Sequence, residues 1–190
     1  DVFRELGFDL TLSHQLNPQV EKDKKAIGIA PFAAFTSKMF PLEKMKFVAK
    51  QLAKDGYKIY LFGGGKAEVE ELKTWEKFDS NITSLAGTLN FEKELERIAQ
   101  LQVMISMDSA NMHLASLMGT RSISIWGGTH PYAGFLGYGQ SYTDIIQDEH
   151  MECRPTSIFG KDPKGFENFD YFQNLSSDYV YQEIIKRLKQ

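Results

Sequence analysis

Residues 107–115 form the segment best suited to binding an anion. They follow a short apolar run typical of a buried strand and open a predicted helix. The start of a helix directs free backbone N–H groups and a partial positive charge outward, and both favour a phosphate. Small residues let an anion approach this backbone, and longer side chains add donors. The candidate phosphate-binding residues are Asp108, Ser109, Ala110, Asn111 and His113.

The same segment also fits a plain strand-to-helix turn. In that interpretation Asp108 or Ser109 caps the helix, and His113 is an ordinary buried imidazole. The spacing of the residues does not separate this alternative from an anion site, so both stay open on this pattern alone.

A triple glycine ends another predicted strand and offers a second candidate contact. Gly63 and Gly64, with the glycine that follows them, match neither the dinucleotide motif GxGxxG nor the phosphate loop GxxxxGK[ST]. The pattern alone therefore favours a tight strand-to-helix turn without a ligand. Glu68, shortly after the turn, is a candidate acceptor for the hydroxyl groups of a ribose.

Two other strand ends carry polar residues. Lys38 follows the first predicted strand and is either an anion contact or a surface lysine. Gly127 and Gly128 follow a later strand and lead to Thr129 and His130, which are candidate ligand contacts.

Several classes of protein are excluded by what the sequence lacks. It contains no HExxH motif, no clustered cysteines and no GxSxG, so we expect no metal site, no cofactor and no hydrolase elbow. A net charge of −3 argues against a nucleic-acid partner. The apolar runs are far shorter than the roughly 20 residues of a membrane span. The single cysteine, Cys153, fits a reducing compartment, and we expect a cytoplasmic protein.

Apolar runs of strand length alternate with segments of helical periodicity along the chain. This alternation predicts an α/β fold, a Rossmann-like three-layer αβα sandwich with a mostly parallel sheet. In such sheets the ligand lies outside the carboxyl ends of the strands, where all the candidate residues fall. The predicted strands are 26–30, 57–62, 82–86, 103–106, 122–126 and 143–147. One predicted helix begins at Pro41, and two others are capped by Asn90 and Ser177. Two more are marked by apolar residues at helical spacing, namely Val69, Leu72 and Trp75, and Met112, Ala115 and Met118.

The chain divides into two predicted parts. Residues 1–25 are expected to be a lead-in or interdomain linker, and residues 26–190 the α/β domain. Within that domain, residues 151–175 carry proline, glycine and several aromatic residues and are predicted to be a long ordered loop held by its aromatic side chains.

Four segments, in order, resemble glycosyltransferase family 9, the ADP-heptose:lipopolysaccharide heptosyltransferases. Residues 30–41 are similar to the family's first strand exit with its lysine, and residues 62–68 to its glycine end and following glutamate. Residues 106–115 resemble the motif D-[ST]-G-x-x-H-L-A, and residues 125–131 resemble φ-x-G-x-T-x-P. The last two segments are the most specific, and the resemblance covers residues 26–147.

This resemblance implies a GT-B architecture, with residues 26–190 as the C-terminal, nucleotide-sugar-binding domain and the N-terminal acceptor domain absent from the chain. The full enzyme would transfer heptose from ADP-heptose to a lipopolysaccharide-core or related glycan, at the inner face of the inner membrane and without a metal. An N-terminal catalytic base implies that the chain alone binds nucleotide but transfers nothing. The alternatives are another nucleotide-sugar transferase or epimerase, or a non-catalytic nucleotide- or phosphate-binding module.

The resemblance also implies roles for individual residues. Lys38 would contact the phosphates or nucleotide, and Glu68 would bind the ribose beside Gly63 and Gly64. The turn from Asp108 to His113 would hold the diphosphate, and Thr129 and His130 would touch the donor sugar. The chain departs from the family pattern at Ala110, where glycine is usual, at Asn111, where proline is common, and at His130, where an acidic residue is frequent.

Overall fold

A computed structural model of the protein describes residues 2–190. It contains one six-stranded sheet in the order β3-β2-β1-β4-β5-β6, and every neighbouring pair of strands is parallel. The predicted α/β class with a parallel sheet is confirmed. The strands are β1 (Asp23–Ala30), β2 (Lys58–Leu61), β3 (Ile82–Ser84), β4 (Leu101–Met107), β5 (Ser122–Trp126) and β6 (Ile145–Gln147).

Helices connect the strands, and the three whose start was predicted begin within one residue of that point. Asn90 caps α4 by accepting a hydrogen bond from the backbone N–H of Lys93, and Ser176, one residue before the predicted cap, does the same for α6. Gly56, with a φ of +85°, follows the end of α2 in the left-handed conformation that glycine adopts readily. The helices are α1 (Val2–Glu5), α2 (Leu42–Lys54), α3 (Lys66–Trp75), α4 (Phe91–Gln100), α5 (Ala110–Leu117) and α6 (Ser177–Leu188).

Apolar side chains cover both faces of the sheet, which makes three layers. On one face, fully buried Ile27 and Ile29 of β1 belong to a core shared with α2, α3 and α6. On the other face, Ala26 and Ala30 belong to a smaller core with α4 and α5. Strands buried on both faces have nearly continuous apolar sequences, which explains the short apolar runs seen along the chain.

The chain reverses its direction across the sheet beside β1. From β1 it proceeds through β2 to the edge strand β3, and then returns to place β4 on the other side of β1. The last residue of β1, Ala30, pairs with Ser106 near the end of β4. The loops that leave β1 and β4 therefore diverge to opposite faces, and they open the crevice where parallel sheets bind ligands.

Two residues that precede β1 are attached to the domain by hydrogen bonds. The Lys22 ammonium donates to the carbonyl of Ala99 at 2.6 Å and to the hydroxyl of Thr120 at 2.8 Å. The backbone N–H of His14 donates to the Tyr138 hydroxyl at 2.7 Å. Strand β1 begins at Asp23, inside the segment predicted to be a linker.

Between residues 2 and 190, no helix has both the length and the apolar character needed to cross a membrane.

Residues 151–175 contain no helix or strand. The segment contacts the carboxyl end of the sheet, where the backbone N–H of Thr156 donates to the carbonyl of Gly128 at 3.0 Å. Tyr171 and Phe172 are buried in the main core, so the predicted aromatic anchoring is confirmed for them. Phe159, in contrast, is 69% exposed. The segment is also held by polar contacts, since the Tyr171 hydroxyl donates to Asp162 and accepts from Thr156, both at 2.9 Å.

Candidate functional site

A cleft of about 450 Å³ opens at the carboxyl ends of β1, β2 and β4. Every predicted site residue except Thr129 and His130 lines it, although these residues come from three separate segments of the chain. The polar lining comprises Lys38, Glu68, Asp108, Ser109, Asn111 and His113, and the small and aromatic lining comprises Gly63, Gly64, Ala110, Phe32, Ala33, Ala34, Phe62 and Phe135.

An ion pair joins two walls of the cleft. Lys38 lies in a short 3-10 turn, Thr36–Lys38, that follows β1, and its Nζ is 2.8 Å from Oδ2 of Asp108 at the end of β4. The lysine side chain is 13% exposed and the aspartate 4%. The same Oδ2 accepts a hydrogen bond from the hydroxyl of Thr129 at 2.8 Å. Two donors on one buried carboxylate oxygen fix its position and compensate for the cost of its burial.

Helix α5 begins beside this ion pair. Ser109 occupies the N-cap position with extended backbone, but its side chain makes no capping hydrogen bond. Its hydroxyl instead lies 3.2 Å from that of Ser106. The first backbone N–H groups of α5 therefore lack a side-chain acceptor, and together with the partial charge of the helix they form an anion-binding surface at the cleft. Ala110 is the first helical residue, so replacing the family's usual glycine requires no unusual backbone conformation here.

Two further α5 residues face the cleft from the first turn of the helix. His113 is exposed at the rim, so the interpretation as a buried imidazole is wrong. Asn111 is half-buried, and its side-chain oxygen has no hydrogen-bond partner. An exposed imidazole and an amide at a helix start can both donate hydrogen bonds to an anion.

The triple glycine shapes the opposite side of the cleft. A side chain at Gly63 would come within 2.9 Å of Leu72 and 3.1 Å of the Glu68 carboxylate, whereas Gly64 faces open space. Glu68 lies in the first turn of α3, and its Oε2 accepts a hydrogen bond from the Gly64 backbone N–H at 2.8 Å. The turn thereby holds the carboxylate at the cleft, where it can accept hydrogen bonds from a ligand.

The glycine pair after β5 serves packing rather than lining the cleft. The Gly128 backbone N–H donates to the carbonyl of Ser37 at 2.8 Å. A side chain on Gly127 would overlap that carbonyl oxygen and the ring of Phe172. The pair therefore lets the turn that carries Lys38 lie directly against the end of β5.

Neither Thr129 nor His130 is placed at the cleft surface. Thr129 is fully buried, with its hydroxyl committed to Asp108. His130 Nδ1 accepts from the backbone N–H of Tyr132, and the two rings lie 4.5 Å apart. Burial, together with the positive charge of Arg154, lowers the pKa of His130. Contacts of Thr129 and His130 with a donor sugar stay predictions. In the structure Thr129 helps to hold the Asp108 carboxylate in place.

The sequence interpretation missed the aromatic walls of the cleft. Phe32 directly follows the Pro31 that ends β1, and Phe62 directly precedes the triple glycine, so position alone could have identified both. Phe135 comes from an irregular segment after β5 and has no local signal. Across residues 2–190, no three His, Cys, Asp or Glu side chains converge as metal ligands would. The positive charge at the cleft comes from Lys38 and the start of α5.

Comparison with known proteins identifies relatives of this chain. The sequence pattern of glycosyltransferase family 9 (heptosyltransferase) matches residues 1–161. Lipooligosaccharide heptosyltransferase 2 of Haemophilus influenzae is 30% identical over 159 residues, which cover 80% of this chain and 43% of that protein.

Solved structures share the fold. The structure of Escherichia coli ADP-heptose lipopolysaccharide heptosyltransferase II aligns with a TM-score of 0.66 at 20% identity, covering 87% of this chain and 46% of that one. An E. coli heptosyltransferase, WaaC, solved with ADP-2-deoxy-2-fluoro heptose, aligns with a TM-score of 0.64 at 18% identity, covering 86% and 43%.

The chain spans about half the length of the curated relatives that it matches. The match nevertheless includes all the segments that form the cleft, and its parallel sheet agrees with the fold of the solved relatives. The chain belongs to glycosyltransferase family 9, the heptosyltransferase family.

Proposed function

We propose that the cleft binds the nucleotide diphosphate of a sugar donor, ADP-heptose, for transfer of heptose to a lipopolysaccharide-core or related glycan. One observation carries the proposal: an ammonium, an uncapped helix start and a carboxylate meet in one cleft. The first two suit a diphosphate and the third suits a ribose. A relative of the same fold has been solved with ADP-2-deoxy-2-fluoro heptose, which supports this choice of donor.

In this proposal the diphosphate lies against the backbone amides at Ser109 and Ala110. Lys38 and His113 donate hydrogen bonds, while Glu68 accepts from the ribose hydroxyls. Transfer breaks the bond between the sugar and the diphosphate, so negative charge grows on the diphosphate as it leaves. Preorganised donors stabilise that charge without reorganising, which lowers the barrier. Such a site works without a dedicated metal ion or cofactor.

The acceptor site and the catalytic base are assigned to the part of the relatives that this chain does not cover. That assignment is supported by the length of the relatives, of which the chain covers 43% to 47%. For the whole protein we propose a cytoplasmic location at the inner face of the membrane, since its proposed acceptor is a lipid-linked glycan.

Calorimetric titration of the chain with ADP, ADP-heptose and UDP tests the donor assignment. We expect saturable binding of ADP and ADP-heptose, weaker binding of UDP, and about 10- to 100-fold weaker ADP binding in His113→Ala, since one hydrogen bond to a charged group contributes about 1.5–3 kcal/mol. The matched control is His150→Ala, because His150 is also exposed but lies outside the cleft. Equal loss in both variants, or preference for UDP, would contradict the assignment.

A further inference from the structure

Arg154 lies outside the cleft and connects the ends of two strands. Its guanidinium donates to the backbone carbonyls of Gly127 and Thr129, the latter at 2.7 Å, just after β5. It also donates to the side chain of Gln147 at 2.9 Å and the carbonyl of Asp148 at 3.1 Å, at the end of β6. A guanidinium has five donors in a rigid plane, so this one side chain sets the spacing of both strand ends.

The contacts of Arg154 continue into the cleft through Thr129. The arginine holds the carbonyl of Thr129, and the hydroxyl of the same threonine donates to Asp108 Oδ2 at 2.8 Å. That oxygen is also the partner of Lys38. The chain of contacts thus runs from Arg154 through Thr129 and Asp108 to Lys38. Its two middle residues are buried, and Arg154 and Lys38 are partly buried.

A second route leads from Arg154 to the turn that carries Lys38. The arginine fixes the Gly127 carbonyl, and the neighbouring Gly128 N–H donates to the Ser37 carbonyl at 2.8 Å. The Ser37 hydroxyl in turn donates to the carbonyl of Gly160, in the same long loop as Arg154. Both members of the Lys38–Asp108 pair therefore depend on the strand end that Arg154 holds.

We propose that Arg154 is a positioning residue for donor binding, acting on the Lys38–Asp108 pair through Thr129. Because the cleft is proposed to hold a nucleotide diphosphate, this role rests on the proposed function. Arg154 itself does not line the cleft. Most of the hydrogen bonds of this guanidinium go to backbone carbonyls, so it holds the backbone in place. Its loss is expected to displace the groups that it holds.

The chain offers a matched control for Arg154. Arg187 is half-buried and also donates to backbone carbonyls, those of Thr143 at 2.9 Å and Ile145 at 3.0 Å. Those carbonyls lie at the beginning of β6, at the opposite edge of the sheet from the cleft. Arg187→Met and Arg154→Met should therefore both lower stability, but only the second should affect the cleft.

The experiment compares these variants by calorimetry with ADP, together with Thr129→Val and the double variant. We expect Arg154→Met to weaken ADP binding at least fivefold and Arg187→Met to leave it within twofold. In the Thr129→Val background, Arg154→Met should weaken ADP binding by a smaller factor than in the wild type, since the two changes share the route through Thr129 and only the route through Gly127 is left to break. Equal effects of the two arginine variants, or additive effects of Arg154→Met and Thr129→Val, would overturn the proposal.

A second measurement needs no ligand and separates this inference from the proposed function. The ¹⁵N–¹H signal of the Lys38 ammonium should shift in Arg154→Met and stay in place in Arg187→Met. Arg154→Lys, which keeps the charge but has a smaller donor group, should give an intermediate shift and serves if the methionine variant does not fold. An unchanged Lys38 signal would overturn the inference. Failure of the wild-type chain to bind ADP, with the signal shifted as expected, would overturn only the proposed function.

Discussion

The ammonium of Lys38 lies 2.8 Å from the carboxylate of Asp108 across the end of the sheet. The two residues leave neighbouring strands, β1 and β4, at the point where the chain reverses its direction across the sheet. The carboxylate holds the ammonium, which keeps further N–H donors, beside the start of α5, where an anion is expected.

Replacing Lys38 with methionine tests the charge in the cleft. Loss of a charge-assisted hydrogen bond to a phosphate should weaken ADP binding about 10- to 100-fold, measured by calorimetry. It should also lower the free energy of unfolding by roughly 3 kcal/mol, because Asp108 is left as a buried charge without its cation. Lys186→Met, on the exposed face of α6, is the control and should change neither quantity appreciably. ADP affinity equal to the wild type in Lys38→Met would rule out a phosphate contact.

Glu68→Gln tests the proposed ribose contact. The wild-type chain should bind ADP more tightly than 2′-deoxy-ADP, because a hydroxyl donating to a carboxylate is lost in the deoxy ligand. Glu68→Gln should weaken ADP binding and largely remove the difference between the two ligands. Titration of both proteins with both ligands measures this coupling. If the discrimination is unchanged in the variant, Glu68 does not bind that hydroxyl.

Gly127→Ala tests the packing beneath Lys38. The added methyl group would overlap the Ser37 carbonyl and the Phe172 ring, so we expect a loss of roughly 1–3 kcal/mol in stability and weaker ADP binding. Gly64→Ala is the matched change, because a methyl group there meets open space and should leave the free energy of unfolding within about 1 kcal/mol. Denaturant unfolding of both variants measures the change in the free energy of unfolding. Equal stabilities would show that the glycine pair has no packing role.

The Tyr171 hydroxyl should make stability depend on alkaline pH. Burial, together with its hydrogen bond to Asp162, raises the pKa of Tyr171 to about 12, above the usual value of about 10. The unfolded chain therefore loses this proton first, and stability falls as the pH rises from about 10 towards 12. Tyr171→Phe should be less stable at neutral pH but show a smaller decline. Urea unfolding near pH 8 and near pH 11 checks this, with the exposed Tyr132→Phe expected to keep the wild-type decline.

The fold and most of the cleft could be predicted because they depend on local pattern. Apolar runs followed by glycine or polar residues mark strand ends, and parallel strands bring those ends to one edge. The pairing of Lys38 with Asp108 could not be predicted, since it depends on β1 and β4 being neighbours. Thr129 was predicted to touch the ligand because it follows a glycine-rich strand exit, yet its hydroxyl is buried against Asp108.

The contacts of Arg154 likewise could not be predicted from the sequence. It lies in a loop whose sequence has no periodicity, and nothing near it in the chain indicates which carbonyls it meets. Its four acceptors become visible only when β5 and β6 are placed side by side. Residues that support a site through tertiary contacts leave little local trace in the sequence.

The most direct test of the donor site is to map bound ADP by ¹⁵N–¹H NMR on the uniformly labelled chain. The account predicts saturable shifts that are largest for the backbone amides of Ser109, Ala110 and Asn111, with a second group at Gly64. It would be contradicted by no shifts at saturating ADP, or by shifts confined to another surface, such as the groove beside Leu16 and Gly139.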